Sequence, residues 1–280
     1  VIIWMRERDN YNHLYLYDKA TGKVKNQITK GDWYVRSVID VDEDARRIWF
    51  QASGVNKDED PYFIRYYSIG FDGSDMRDMT PSKGMHNAWL SADKKYIVDV
   101  TSTVADAPVA VLRNAETGEL VMDLETADIS EIVANGWKAP EVFVAKGRDG
   151  KTDMWGIIIR PTNFDPSKKY PILEYIYSGP GDHYVPKSFF SFNRYMSAIA
   201  ELGFIVVQVD CMGTSYRSKE FEEVCYKNLK DAGIPDRKLW IKAAAEKYPY
   251  MDIDRVGIFG CSAGGQESTT AVLFHPEFYK

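Results

Sequence analysis

The chain has 280 residues, of which 45% are hydrophobic, and a formal net charge of −6. That is enough apolar material for one large domain or two ordinary ones, and the lack of a long basic cluster argues against a nucleic-acid partner. No apolar run approaches the ~20 residues that a membrane-spanning helix needs, and neither the three cysteines nor the four histidines show metal-ligand spacing, so no metal or cofactor is expected.

The chain begins at Val1 without a signal-peptide pattern and reads as the middle of a longer protein. Cys211 and Cys225 could pair in an oxidising compartment. Three free thiols, with Cys261 the third, is the favoured reading.

Residues 1–127 read as β structure built from repeats. Hairpin signals recur at Leu14–Tyr17 with Thr21-Gly22, at Ile64–Tyr67 with Asp72-Gly73, and at Val109–Leu112 with Thr117-Gly118. The three turn glycines are 51 and 45 residues apart. Further strands, Arg47–Gln51 and Lys95–Asp99, fall between them. Short strands at this period predict about three blades of a β-propeller, with further blades needed to close the ring. The run Lys57-Asp58-Glu59-Asp60 is expected to be a solvated loop, and the aromatic residues of this half are expected to be strand packing.

Residues 128–280 change character. A hairpin is predicted from Val142–Ala145 and Met154–Ile159 around Asp149-Gly150, followed by a strand over Tyr170–Tyr177. A helix is expected near Phe189–Leu202, a strand over Phe204–Val209 and a helix near Asp236–Lys247. The last has Leu239, Trp240, Ala243 and Ala244 on one face. The strand Arg255–Phe259 comes last, and a helix-compatible stretch runs from Gly265 to Leu273. Apolar strands alternating with amphipathic helices predict an incomplete, doubly wound, mostly parallel α/β sheet.

Between that last strand and helix stands Gly260-Cys261-Ser262-Ala263-Gly264-Gly265, a G-x-S-x-G match. A serine on a tight glycine turn between strand and helix is the setting of a nucleophile elbow, and small neighbours are needed because the turn crowds both elements. Ser262 is the candidate nucleophile and the backbone N–H of Ala263 a candidate oxyanion donor. Tyr177, at a strand end before Gly179-Pro180-Gly181, is either a second oxyanion donor or a packed strand-end tyrosine. Serine needs a histidine base oriented by a carboxylate. His275 is placed at the far end of the elbow helix. His183 is a cleft-lining or a solvated loop residue. Asp252 and Asp254 stand at the wrong end of the serine's strand. The base and its partner are therefore expected beyond Lys280, and the 280-residue piece alone is expected to be inactive. Asp210, at a strand end, is expected to hold the loop Cys211–Ser215.

These segments together resemble one family. Phe164–Leu173, the Tyr177-Ser178-Gly179-Pro180 turn, Asp210 with Gly213-Thr214, and the Gly260–Gly265 elbow are similar to the prolyl oligopeptidase clan of serine peptidases, and within it most of all to the dipeptidyl peptidase IV family. Tyr11–Tyr15 followed by Thr29–Trp33 agrees in the first half. The resemblance implies the last blades of a propeller over residues 1–127 and the first part of an α/β-hydrolase catalytic domain over 128–280. It implies hydrolysis of short peptides through an acyl-enzyme, no cofactor, and Tyr177 as the oxyanion tyrosine. It also implies a periplasmic or secreted location and is compatible with a homodimeric parent. The family's dipeptidyl peptidases carry Trp and Tyr around the nucleophile, where this chain has Cys261 and Ala263. The glutamates that grip a substrate's amino terminus belong to blades outside this segment. Two alternatives stay open: an inactive relative acting as a propeller interaction module, and an acylaminoacyl-type peptidase or esterase.

Overall fold

The computed structural model describes residues 1–193 and 195–280. Backbone packing divides them into two compact units. One is Val1–Ala127 with Tyr216–Glu220, and the other is Asp128–Ser215 with Phe221–Lys280.

The first unit holds three antiparallel sheets among the described residues. The first comprises β1 (Ile2–Arg6), β2 (His13–Tyr17) and β3 (Val24–Gln27). The second comprises β4 (Tyr34–Asp42), β5 (Arg47–Ser53), β6 (Ile64–Gly70) and β7 (Arg77–Asp78). The third comprises β8 (Met85–Leu90), β9 (Tyr96–Ser102), β10 (Val109–Asn114) and β11 (Leu120–Thr126).

Strand alternation explains how they stack. In β5, Ile48, Phe50 and Ala52 point to one face and meet Leu14, Leu16 and Ile28 of the first sheet region. Trp49 and Tyr66 point to the other face and meet Ala88 and Ile97 of the third sheet. Phe50 lies opposite Tyr67 in the register, with ring centroids 5.8 Å apart, and Trp33 also stacks with Phe50 at 6.2 Å. Mostly four-stranded antiparallel sheets of this kind fit propeller blades, and the described residues do not form a closed propeller.

The Lys57–Asp60 loop is not the solvated run that its charge suggests. Arg65, buried on β6, needs a counter-charge, and Glu59 supplies it through two 2.8 Å bonds, while Asp60 is buried and accepts from the Tyr62 N–H. Tyr216–Glu220 packs with this unit: the Arg36 guanidinium lies over the Tyr216 ring, and the Lys219 N–H donates to the Asn10 carbonyl at 2.8 Å.

The second unit opens with a short helix, α1 (Ser130–Ala134). A five-stranded sheet follows, made of β12 (Glu141–Lys146), β13 (Asp153–Ile159), β14 (Tyr170–Tyr175), β15 (Ile205–Asp210) and β16 (Met251–Phe259) in the order β12-β13-β15-β14-β16. The first three neighbours pair antiparallel, while β15, β14 and β16 run parallel. The further helices are α2 (Ser197–Ala200), α4 (Ile234–Lys247) and α5 (Ala263–Phe274), while α3 (Lys219–Glu223) starts within the Tyr216–Glu220 segment of the first unit. β15 is buried at every position, as a strand covered on both faces must be.

Two helix expectations are corrected. The helix expected near Phe189–Leu202 is only the one turn of α2, and the Arg194 part of that expectation lies outside the described residues. The Asn193 side chain accepts from the N–H groups of Tyr195 and Met196, so it ends the preceding loop and starts the turn. On α4 the inward face is Ile234, Arg237, Trp240, Ile241 and Ala244, at three- and four-residue steps. Leu239 falls off that stripe and is exposed. Trp240 is fully buried, edge-on to Phe143, and its indole N–H donates to the Phe143 carbonyl at 3.2 Å.

Candidate active site

Register brings two of the predicted residues to the same sheet edge. β14 and β16 run parallel with Tyr175 opposite Phe259, and the Ile176 N–H extends the pairing to the Phe259 carbonyl at 2.9 Å. Tyr177 and the Gly260–Ser262 turn therefore leave the sheet side by side. Ser262 is exposed and adopts φ 56°, ψ −121°, immediately before α5. Such a backbone costs a residue with a side chain about 1–3 kcal/mol and persists only where its surroundings impose it. The imposing contacts are visible. A Cβ at Gly264 would lie 2.1 Å from the Ile176 carbonyl oxygen, and one at Gly260 2.4 Å from the same atom. Only glycine lets the strand end and the helix start close on each other.

Ala263 is the first residue of α5, so its N–H belongs to the first turn, which no carbonyl of its own helix can reach. The Ser262 hydroxyl has no hydrogen bond to a described residue. Tyr177 is half-buried, with its ring 4.6 Å from that of Tyr184. Burial, and then the neighbouring Tyr177 and Asp182, push the Tyr184 hydroxyl up to about 12.

The predicted histidines and aspartates fall as follows. His275 caps the C-terminal end of α5, about 18 Å along the axis from Ser262 for twelve helical residues. There it bonds Asp231 at 3.0 Å. His183 lies in the loop after Tyr177, with Nδ1 3.0 Å from the Asp182 carboxylate. Asp252 and Asp254 stand in the first half of β16, away from the serine end. Asp210 is fully buried, but it does not hold its own loop. Its two oxygens accept from the N–H groups of Tyr184 and Val185 at 2.8 and 3.0 Å, so it braces the loop that follows Tyr177. A buried carboxylate takes the donors within reach, and β15 ends beside β14. The loop Cys211–Ser215 is tied instead by the Thr214 hydroxyl to the Cys211 carbonyl and by the Met212 N–H to Asp236. Cys211 and Cys225 are buried free thiols, and Cys261 is exposed. Burial pushes the Cys211 thiol well above its ordinary range, so it stays protonated.

Behind the elbow lies a polar cluster that the sequence reading does not anticipate. Glu174 on β14 is fully buried and accepts from Arg237 Nη1 at 2.7 Å and from the Tyr279 hydroxyl at 2.8 Å. Arg237 on α4 is also fully buried, and Glu267 on α5 nearly so. The available signal is a glutamate inside the mostly apolar strand β14 (Tyr170–Tyr175). Its partners lie on other elements and could not be named from the pattern.

Comparison with known proteins gives this arrangement a family. Residues 190–280 match the prolyl oligopeptidase family, and residues 1–108 match the dipeptidyl peptidase IV (DPP IV) N-terminal region. Each of these two stretches is thus similar to dipeptidyl peptidases or to the prolyl oligopeptidase family. The chain's relatives lie among the dipeptidyl peptidases. It is 25% identical over 274 residues to human dipeptidyl peptidase 8, covering 94% of this chain and 30% of that protein. It is 27% identical over 279 residues to mouse prolyl endopeptidase FAP, covering 98% and 36%. Among solved structures, dipeptidyl peptidase 4 of Porphyromonas gingivalis superposes with a TM-score of 0.80 at 26% identity, over 96% of this chain and 37% of that one. A putative dipeptidyl aminopeptidase IV of Bacteroides ovatus gives 0.81 at 28%, over 99% and 41%. The chain thus spans about a third of the length of the curated relatives it matches. No helix among the described residues is long and apolar enough to cross a membrane.

Proposed function

We propose that residues 128–280 are the first part of an α/β-hydrolase catalytic domain, that residues 1–127 are blades of a propeller, and that the full protein is a serine-type dipeptidyl peptidase. The observation that carries this reading is Ser262 held at φ 56° on a glycine-lined turn between β16 and α5. A serine in that posture presents its Oγ outward at a sheet edge, which is what nucleophilic attack needs.

In the proposed reaction Ser262 Oγ attacks the scissile carbonyl carbon as a histidine takes its proton. The carbonyl oxygen becomes an oxyanion and accepts from the Ala263 N–H and the Tyr177 hydroxyl. Collapse expels the amine, which receives the proton, and leaves an ester on Ser262. Water then hydrolyses the ester by the same steps. The histidine and its aspartate are assigned to parts of the full protein outside these 280 residues. His275 is remote from Ser262, and no described residue is bonded to the Ser262 hydroxyl. Short peptides are the proposed substrates, in keeping with the dipeptidyl peptidases among the relatives.

The test is covalent labelling of the full protein with a fluorophosphonate. One label per chain is expected, and none in Ser262→Ala; labelling that persists in the variant overturns the assignment. A panel of prolyl substrates with free and acetylated amino termini separates a dipeptidyl peptidase, which needs the free amine, from an acylaminoacyl-type enzyme.

A further inference from the structure

Beyond Tyr177 the chain enters a loop, 178–185, with no strand or helix of its own. Backbone groups in such a loop must find their partners elsewhere. Gly179, at φ 104°, turns the chain, and Pro180 and Gly181 form an exposed tip. The return leg is pinned. The Asp182 carbonyl accepts from the Ser215 N–H at 3.1 Å. Gln208 and Asp210 stand two apart on β15, so both point to one face of the sheet. Asp210 accepts from the N–H groups of Tyr184 and Val185 at 2.8 and 3.0 Å, and the Gln208 side-chain amide donates to the Tyr184 carbonyl at 3.0 Å. Tyr184 therefore has both of its backbone groups held by side chains that are themselves buried in the sheet.

A backbone fixed there sends the Tyr184 ring back onto Tyr177. The two ring centroids are 4.6 Å apart and the planes are tilted by 46°. The Tyr184 hydroxyl reaches the Gly179 carbonyl at 3.5 Å, the long limit of a hydrogen bond, and a Cβ on Gly181 would stand 3.3 Å from the same hydroxyl. The tip of the loop thus lies against the outer end of this ring. Tyr177 is held differently. Its hydroxyl is hydrogen-bonded to no described residue, as a donor reserved for an oxyanion requires. A side chain without a polar anchor takes its direction from packing, and a tilted aromatic neighbour at this separation is a favoured and directional contact. The Tyr184 hydroxyl, pushed up to about 12, stays neutral at working pH and puts no charge beside Tyr177.

We propose that Tyr184 is a positioning residue for the oxyanion side of the site: Asp210 and Gln208 fix its backbone, and its ring fixes the direction of the Tyr177 hydroxyl. This rests on the hydrolase reading above and deepens it. Two buried polar side chains of β15 then serve the reaction through an aromatic ring, without meeting the substrate. Tyr184 touches no reacting atom, so its effect is on the geometry of Tyr177. The ring carries that effect, and the Tyr184 hydroxyl, with its single long bond, contributes little to it.

The experiment is a double-mutant cycle in the full protein, with kcat normalised to fluorophosphonate-titrated sites. Tyr184→Leu removes the ring and keeps apolar bulk. It is expected to lower kcat per titrated site about tenfold with KM little changed, because oxyanion donors act in the transition state. Tyr184→Phe restores the ring and is expected to stay within about twofold of the native kcat. Tyr177→Phe is expected to lower kcat as well. In that background Tyr184→Leu is expected to cost less than about twofold, because the group it positions is gone. Should Tyr184→Leu fold poorly, Gln208→Met releases the Tyr184 carbonyl from β15 and carries the same cycle. A fall in the titratable fraction and the melting temperature with kcat per site unchanged would show a purely structural role and overturn the proposal. A Tyr184→Phe variant as slow as Tyr184→Leu would overturn it too, since the ring would not be the active part. Equal losses in the native and Tyr177→Phe backgrounds would overturn the positioning role and leave the hydrolase reading intact. A Tyr177→Phe variant with unchanged kcat would instead remove the oxyanion assignment, and the positioning role with it.

Discussion

At the scale of single residues, Gly264 and Gly265 are neighbours of one type with opposite obligations. A Cβ at Gly264 enters the Ile176 carbonyl at 2.1 Å, and backbone on both sides cannot give way. A Cβ at Gly265 meets its nearest neighbour, the Gly260 carbonyl, at 3.4 Å, an ordinary contact. Gly264→Ala is therefore expected to cost about 3 kcal/mol or more by overpacking. Gly265→Ala, within the first turn of α5, is expected to be neutral or to gain up to about 1 kcal/mol, since alanine is the better helix former. Urea denaturation of the two variants checks this, and equal losses would show that the elbow is looser than the contacts indicate. The elbow was legible in the sequence because its determinants are six consecutive residues. The Glu174–Arg237–Tyr279 cluster was not, because its bonds join residues 63 and 105 positions apart. No local pattern specifies which distant cation a lone strand glutamate meets.

At the scale of elements, β2, β5, β6, β9 and β10 were readable from alternation and turn glycines, whereas β1, β4, β8 and the inward face of α4 were not. Its inner stripe contains Arg237 and its outer side contains Leu239, so the apolar pattern points slightly off the true face. Tertiary pairing with Glu174 overrides the simple pattern. A comparable charged tie holds the third sheet. Asp99 on β9 is fully buried and bonds His86 of β8 at 2.7 Å and Arg113 of β10 at 2.9 Å, so one carboxylate spans three strands. Burial pushes its pKa up, but the bonds and charges of His86 and Arg113 outweigh that and hold it below the ordinary carboxylate value. With the folded pKa below the unfolded one, the charged pair contributes stability above the unfolded value, about 3.9, and loses it as pH falls through the folded pKa. Asp99→Asn leaves Arg113 with its bonds to Ser82 and Gly118 but without its charged partner, and is expected to cost about 3 kcal/mol at pH 7. The difference from the native protein should shrink as acid protonates Asp99. A constant difference between pH 7 and pH 3 in denaturant titrations would show that the charge is not the source.

At the scale of the whole molecule, the three stacked sheets are unequally covered. The middle sheet is packed on both faces, through Phe50 on one side and Trp49 on the other. The outer strands differ. β11 is exposed at all seven positions and presents Leu120, Met122 and Leu124, while β1 exposes Ile2, Trp4 and Met5. Both are edge strands, so unpaired backbone groups lie beside apolar side chains. That combination templates strand addition and association unless something covers it. The 280-residue chain is therefore expected to self-associate at micromolar concentrations. Met122→Lys, which places a charge in the middle of the apolar row on β11, should weaken the association by at least about tenfold. Sedimentation velocity across a concentration series reads this directly. A chain that stays monomeric at all concentrations, or an association indifferent to Met122→Lys, would mean that β11 is not the adhesive edge.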